Sequence, residues 1–169
     1  MKIIEALKQI KDLERKANDL VVKVQKNSAY LSHETPAYTD QKEQVHQWVQ
    51  AHSDILKEIL RLKIAIQKTN LETDVTIELA GKTITKSIAE WIHRRRDLAA
   101  AEQHMWSQLT DRGLKEGQLQ QSVGDPIIVK IVRCFDPAER DKKIDAYMSE
   151  PVLVDSRLEI INAVTDLIE

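Results

Sequence analysis

From residue 3 to residue 31, apolar side chains return at every seventh position: Ile3, Ile10, Ala17, Val24 and Leu31. Ala6, Leu13 and Leu20 flank that line on one side, and Leu7 and Val21 on the other. A stripe kept up for about four heptads predicts an amphipathic helix roughly 45 Å long, packed as a coiled coil or as one arm of a helical hairpin. The segment SHETPAYTD, residues 32–40, interrupts it with Pro36 and small polar residues. Asp40, followed three positions later by Glu43, has the spacing of a capping box and opens a second helix. Its stripe runs through Val45, Trp48, Val49, Ile55, Leu56, Ile59, Leu62 and Ile66 to a stop near Asn70. The short connection makes the two helices antiparallel neighbours, a helical hairpin over residues 1–70.

Between Asn70 and Asp97 the period changes. Val75, Ile77 and Leu79 alternate with Thr76 and Glu78, and Thr83, Ile84 and Thr85 follow Ala80-Gly81-Lys82. This predicts a β-hairpin over 74–86. Ser87 and Glu90 form an S-x-x-E box that opens a helix over 87–112, with Ile88, Trp91, Ile92, Leu98, Ala99, Met105, Trp106 and Leu109 as its apolar positions. Gly113, Gly117 and Gly124 make 113–126 a loop. The β-branched run starting at Ile127 predicts a strand over 127–133 that joins the hairpin as its third member. Asp136, Pro137 and Glu139 then open a last helix over 137–168, which Pro151 kinks or splits. The expected fold is one mainly α (α+β) domain over 1–169: a long antiparallel helical hairpin or bundle with a small three-stranded β element. A short internal repeat, Asn70-Leu-Glu-Thr73-Asp74-Val75 against Asn162-Ala-Val-Thr165-Asp166-Leu167, reads as helix-end chemistry or as a duplication.

Composition agrees with long solvated helices. Only four glycines and four prolines occur in 169 residues, 31% of the chain is charged, and aromatics make up 4%. The net charge of −2 argues against a general nucleic-acid binder, which needs a basic surface. Cys134 is the single cysteine, so an intrachain disulfide and a CxxC zinc site are both excluded. No apolar run approaches the roughly 20 residues that span a bilayer. Cytoplasmic residence is the expectation, or the virion if the gene is phage-borne, with no membrane partner.

Candidate chemistry is sparse. No P-loop, dinucleotide-binding glycine pattern, serine nucleophile elbow or HExxH motif occurs. Two E-x-x-H pairs, Glu43/His46 and Glu90/His93, have the spacing used in di-iron bundles, but each glutamate sits at a capping-box position. Placing residues at 100° per step puts Arg95 and Glu102 in the middle of the apolar arc of the third helix. Glu14, His52 and Asp155 fall inside the arcs of the first, second and last helices. A charge on an apolar face needs a partner, so these five predict a buried polar layer in which Arg95 bridges carboxylates, with Arg94 and Arg96 peripheral. Trp48, Trp91 and Trp106 lie on the stripes and read as core or interface anchors. No catalytic, cofactor-binding or metal-ligating residue is assigned, and no cofactor is expected.

Several segments together resemble one family. The start Met1 to Leu7 (MK-x-x-EAL), the helix end Ile66 to Asn70, the stretch Gly81 to Leu98 (G-K-T-I-T-x-x-I-A leading into RRDL) and the C-terminal Asp155 to Leu167 (D-S-R-L-x-x-x-N-x-x-T-D-L) are similar to the septicolysin-like family of small bacterial and phage-encoded proteins. The resemblance implies a helical, oligomeric protein and brings no catalytic residues with it. The sequence therefore leads to a non-enzymatic structural or scaffolding protein that forms a homo-oligomer along its apolar faces, with further protein partners in a larger assembly. Two alternatives stand beside it: a phage or prophage virion or tail-assembly component, and a metal-dependent enzyme built on Glu14, Glu102, Asp155 and His52.

Overall fold

The structure is a computed structural model, and it describes residues 1–168. The elements in chain order are helix α1 (Ile3–Asn27), α2 (Gln41–Glu72), strands β1 (Asp74–Leu79) and β2 (Lys82–Ser87), α3 (Ile88–His93), a π-helical turn (Arg94–Leu98), α4 (Ala99–Ser107), β3 (Gly117–Leu119), β4 (Ile127–Val129) and α5 (Pro137–Val164). The fold is mainly α with a small β element, as the periodicity predicts. The chain packs as two compact units. One holds Met1–Asp74, Ser87–Ala89 and the C-terminal stretch from Leu158; the other holds Val75–Lys86 and Glu90–Arg157.

In the first unit α1 and α2 form the expected antiparallel hairpin. Gln41 Nε2 at the start of α2 donates to the carbonyl of Asn27 at the end of α1, and Lys63 reaches Glu14 further along. Ala6, Ile10, Ile59 and Leu62 make the core, with Leu13, Ile55, Ile66 and Leu167 packed around it. The heptad line is buried at Ile3, Ile10 and Ala17 and then fades: Leu31 lies beyond the end of α1 and is exposed. Asp40 caps α2 as its spacing predicts, its carboxylate accepting the Glu43 N–H at 2.9 Å.

The two copies of the short repeat make equivalent bonds. The Thr73 carbonyl accepts the N–H of Ile88, the first residue of α3, and the Thr165 carbonyl accepts the N–H of Ile3, the first residue of α1. Lys2 pairs with Asp166 as an isolated antiparallel bridge and also forms an ion pair with it at 2.7 Å. Buried Thr69 ties in the C-terminus, donating to the Ala65 carbonyl and accepting the Ile168 N–H at 2.8 Å.

In the second unit the β1–β2 hairpin turns at Ala80 and Gly81, both with positive φ (50° and 76°), the backbone a two-residue primed turn requires. Thr76 and Thr85 hydroxyls meet across it at 2.8 Å. The strand expected over 127–133 does not join this hairpin. Only Ile127–Val129 is extended, and it pairs antiparallel with Gly117–Leu119, so the β element is two separate two-stranded sheets. The predicted loop 113–126 therefore contains a strand; its three residues are too few to carry an alternation signal. Asp136 caps α5, accepting the Ala138 N–H. Of the two expectations at Pro151, a kink or a split, the split does not occur: one helix runs through the proline from Pro137 to Val164, ending short of the expected residue 168.

Candidate functional site

The turn between α3 and α4 decides which charges go inward. Across it the Ala99 N–H donates to the Arg94 carbonyl, five residues back in place of four. Such an insertion retards the helical phase by one residue, about 100°. With that correction Trp91, Arg94, Ala99, Gln103 and Trp106 fall within an arc of roughly 80°. These five are buried or half-buried, whereas Leu98 and Met105 are exposed.

Arg94 is accordingly the inward arginine. Its Nε and Nη2 donate to both oxygens of Glu150 at 2.7 Å, with the Arg94 side chain 19% and the Glu150 side chain 7% exposed. The Tyr147 ring lies 5.7 Å from the guanidinium, and Glu102 stands at 3.9 Å. The hydrogen bonds that Arg94 donates to Glu150 raise the Arg94 pKa above its ordinary value, against the desolvation that lowers it. Removing one member of so enclosed a bidentate pair leaves the other charge uncompensated, at a cost of about 3 to 5 kcal/mol.

The polar layer expected from Glu14, His52, Arg95, Glu102 and Asp155 is not what forms. Glu14, Arg95, Glu102 and Asp155 have side chains 40 to 55% exposed. Arg95 forms its ion pair with the exposed Asp155, and Glu14 pairs with Lys63. His52 is half-buried on α2. The 100° plot fails at Arg95 because it runs straight through the π-helical turn. Glu150, which carries the site, is not among the five residues of the expected layer. Arg94, expected to be peripheral, is central; Arg96 stays outside, bonded to Asp97 and to His93 Nδ1.

The E-x-x-H pairs do not converge either. Glu43 accepts from Gln47, and Glu90 faces Lys86 at 3.7 Å. Among the described residues no group of three or more His, Cys, Asp or Glu side chains is placed to hold a metal ion. The tryptophans take three different roles. Trp91 is fully buried and donates to the Val75 carbonyl at 3.0 Å. Trp48 is buried, with Tyr38 edge-on at 5.2 Å. Trp106 is half-buried, with Lys143 lying 5.7 Å over its ring.

A different feature stands out on α2. Val49, Leu56, Leu60, Ile64 and Leu71 are 49 to 68% exposed. At 100° per residue they share an arc of about 80° on the face turned away from the core positions Ile59 and Leu62. The sequence pattern had merged Val49 and Leu56 with the core stripe. They belong to a second, outward one. Lys57, beside the stripe, pairs with Asp54, and Arg61, further round the helix, pairs with Glu58.

No helix among the described residues is long and apolar enough to cross a membrane. Residues 10–167 match the profile of a family of unknown function, DUF6847, and the chain belongs to that family. No curated protein matches the chain. Among solved structures it is similar to a functionally unknown conserved protein from Corynebacterium diphtheriae, at 21% identity, with 99% of each chain covered and a TM-score of 0.58. That likeness is one of fold.

Proposed function

We propose that this family member is a non-enzymatic structural protein that works by self-association through the outer face of α2. The observation that carries the reading is a symmetry in the exposed stripe. Val49, Leu56, Leu60, Ile64 and Leu71 lie 11 and 4 residues before, at, and 4 and 11 residues after Leu60. A stripe with this mirror spacing is complementary to itself when two copies run antiparallel about a two-fold axis at Leu60. Val49 then meets Leu71 of the second copy, Leu56 meets Ile64, and Leu60 meets Leu60. The 11-residue step from Val49 to Leu60 to Leu71 matches the α-helical period closely enough to keep a straight seam. The charges that flank the stripe are already paired, Lys57 with Asp54 and Lys63 with Glu14 of α1, so they do not oppose the approach.

The strip is about 33 Å long and about 10 Å wide, which is roughly 300 Å² per copy and small for a stable dimer. Assembly is therefore concentration dependent. Sedimentation equilibrium from about 1 to about 200 µM tests it, because micromolar affinity falls in that window. The expected result is a shift from 19.4 kDa to a defined multiple, abolished by Leu60→Lys without loss of helical signal. A wild-type chain that stays at 19.4 kDa throughout would remove the proposal.

A further inference from the structure

A groove of about 700 Å³ opens in the second unit, lined by the β1–β2 hairpin, α3 and α5. Volumes between about 300 and 1,000 Å³ are those of small-molecule sites. One wall follows from the strand period: Lys82, Ile84 and Lys86 are alternate residues of β2 and share a face. The other follows from the helical period, with Glu139, Lys142, Lys143, Ala146, Glu150 and Leu153 lining it from successive turns of α5. Leu79, Trp91 and Tyr147 add apolar surface.

The charges are unequal. Lys82, Lys86, Arg94, Lys142 and Lys143 face the groove against Glu139, Asp145 and Glu150. Both oxygens of Glu150 are taken by Arg94. Lys86 has Glu90 at 3.7 Å, and Lys143 lies over Trp106. With Arg94 and Lys86 held by carboxylates, Lys82 and Lys142 are the groove cations that have no carboxylate partner among the described residues, and the low-dielectric walls focus their field on an anion.

We propose that this groove binds a small amphiphilic anion. The phosphate or carboxylate head sits between Lys82 on the hairpin and Lys142 on α5, and the apolar body lies along Leu79, Ile84 and Leu153. The site does not involve the outer face of α2, so it stands or falls separately from self-association.

Calorimetric titration with decyl phosphate below its micelle concentration tests it, with decanol as the neutral probe. The expected result is saturable one-to-one binding, weakened at least about tenfold in the Lys82→Glu/Lys142→Glu double variant and about tenfold for decanol. Both lysines are exposed, so the double variant keeps the wild-type melting temperature. Leu60→Lys binds decyl phosphate as the wild type does. Absence of saturable binding, equal binding by the double variant, or equal binding of decanol would each overturn the assignment.

Discussion

The two units of this chain are held in different ways. The first is an aliphatic helical hairpin whose cohesion comes from Ala6, Ile10, Ile59 and Leu62, with charges left on its surface. The second has its arginine run turned by a π-helical insertion and depends on an enclosed ion pair, Arg94 with Glu150. Aliphatic packing tolerates volume-conserving exchange, whereas an enclosed ion pair tolerates loss of neither partner. The same mutation type should therefore read differently in the two units.

The largest effects come at the two centres. Leu62→Ala in the first unit is expected to cost about 2 to 5 kcal/mol in urea unfolding, since the side chain is fully buried. Arg94→Leu in the second should cost about 3 to 5 kcal/mol, while Arg95→Leu changes stability by at most about 1 kcal/mol. If Arg95→Leu proves the more damaging, the phase assignment across the π-helical turn is wrong. Next in size is Thr69→Val, which keeps the shape but removes the hydroxyl that accepts the Ile168 N–H; about 1 to 3 kcal/mol is expected.

A smaller effect depends on pH. Hydrogen bonding from Arg133 lowers the Asp111 pKa, and hydrogen bonding from Lys2 lowers that of Asp166. A carboxylate whose folded pKa is depressed stabilises the fold above its unfolded value, near about 3.9, and the contribution disappears as pH falls through the folded value. The melting temperature of the wild type should exceed that of Asp111→Asn at pH 6, and the gap should narrow as pH falls below the unfolded value. The smallest change is a gain. Ala80 has φ 50°, where Asn is better tolerated, so Ala80→Asn should stabilise by about 0.5 to 1 kcal/mol in thermal unfolding.

This contrast also explains what could be read from the residues. Both long helices, their antiparallel pairing, the Asp40 and Asp136 caps and the Ala80-Gly81 turn follow local rules of period and capping, and the structure has them. The repeat around Thr73 and Thr165 was visible as a pattern, but its equivalent bonds to Ile88 and Ile3 are long-range. Arg94 was misplaced because a single extra residue per turn leaves no mark in residue types. The one available sign was the run Arg94-Arg95-Arg96-Asp97 inside an apolar helix, a place where straight helical packing would bury charge. The outward stripe on α2 was hidden for the opposite reason: Val49 and Leu56 look like core residues, and only their exposure separates them from Ile59 and Leu62.

The placement of a two-fold axis at Leu60 has one direct test. In a Cys134→Ser background, which removes the exposed native thiol, Leu60→Cys should give a disulfide-linked dimer under mild oxidation, because a residue on the axis meets its own copy. Val49→Cys in the same background should not, since its own copy lies about 33 Å away along the seam, although Val49→Cys mixed with Leu71→Cys should cross-link. Cross-linking through position 49 alone, or none through position 60, would contradict the antiparallel pairing.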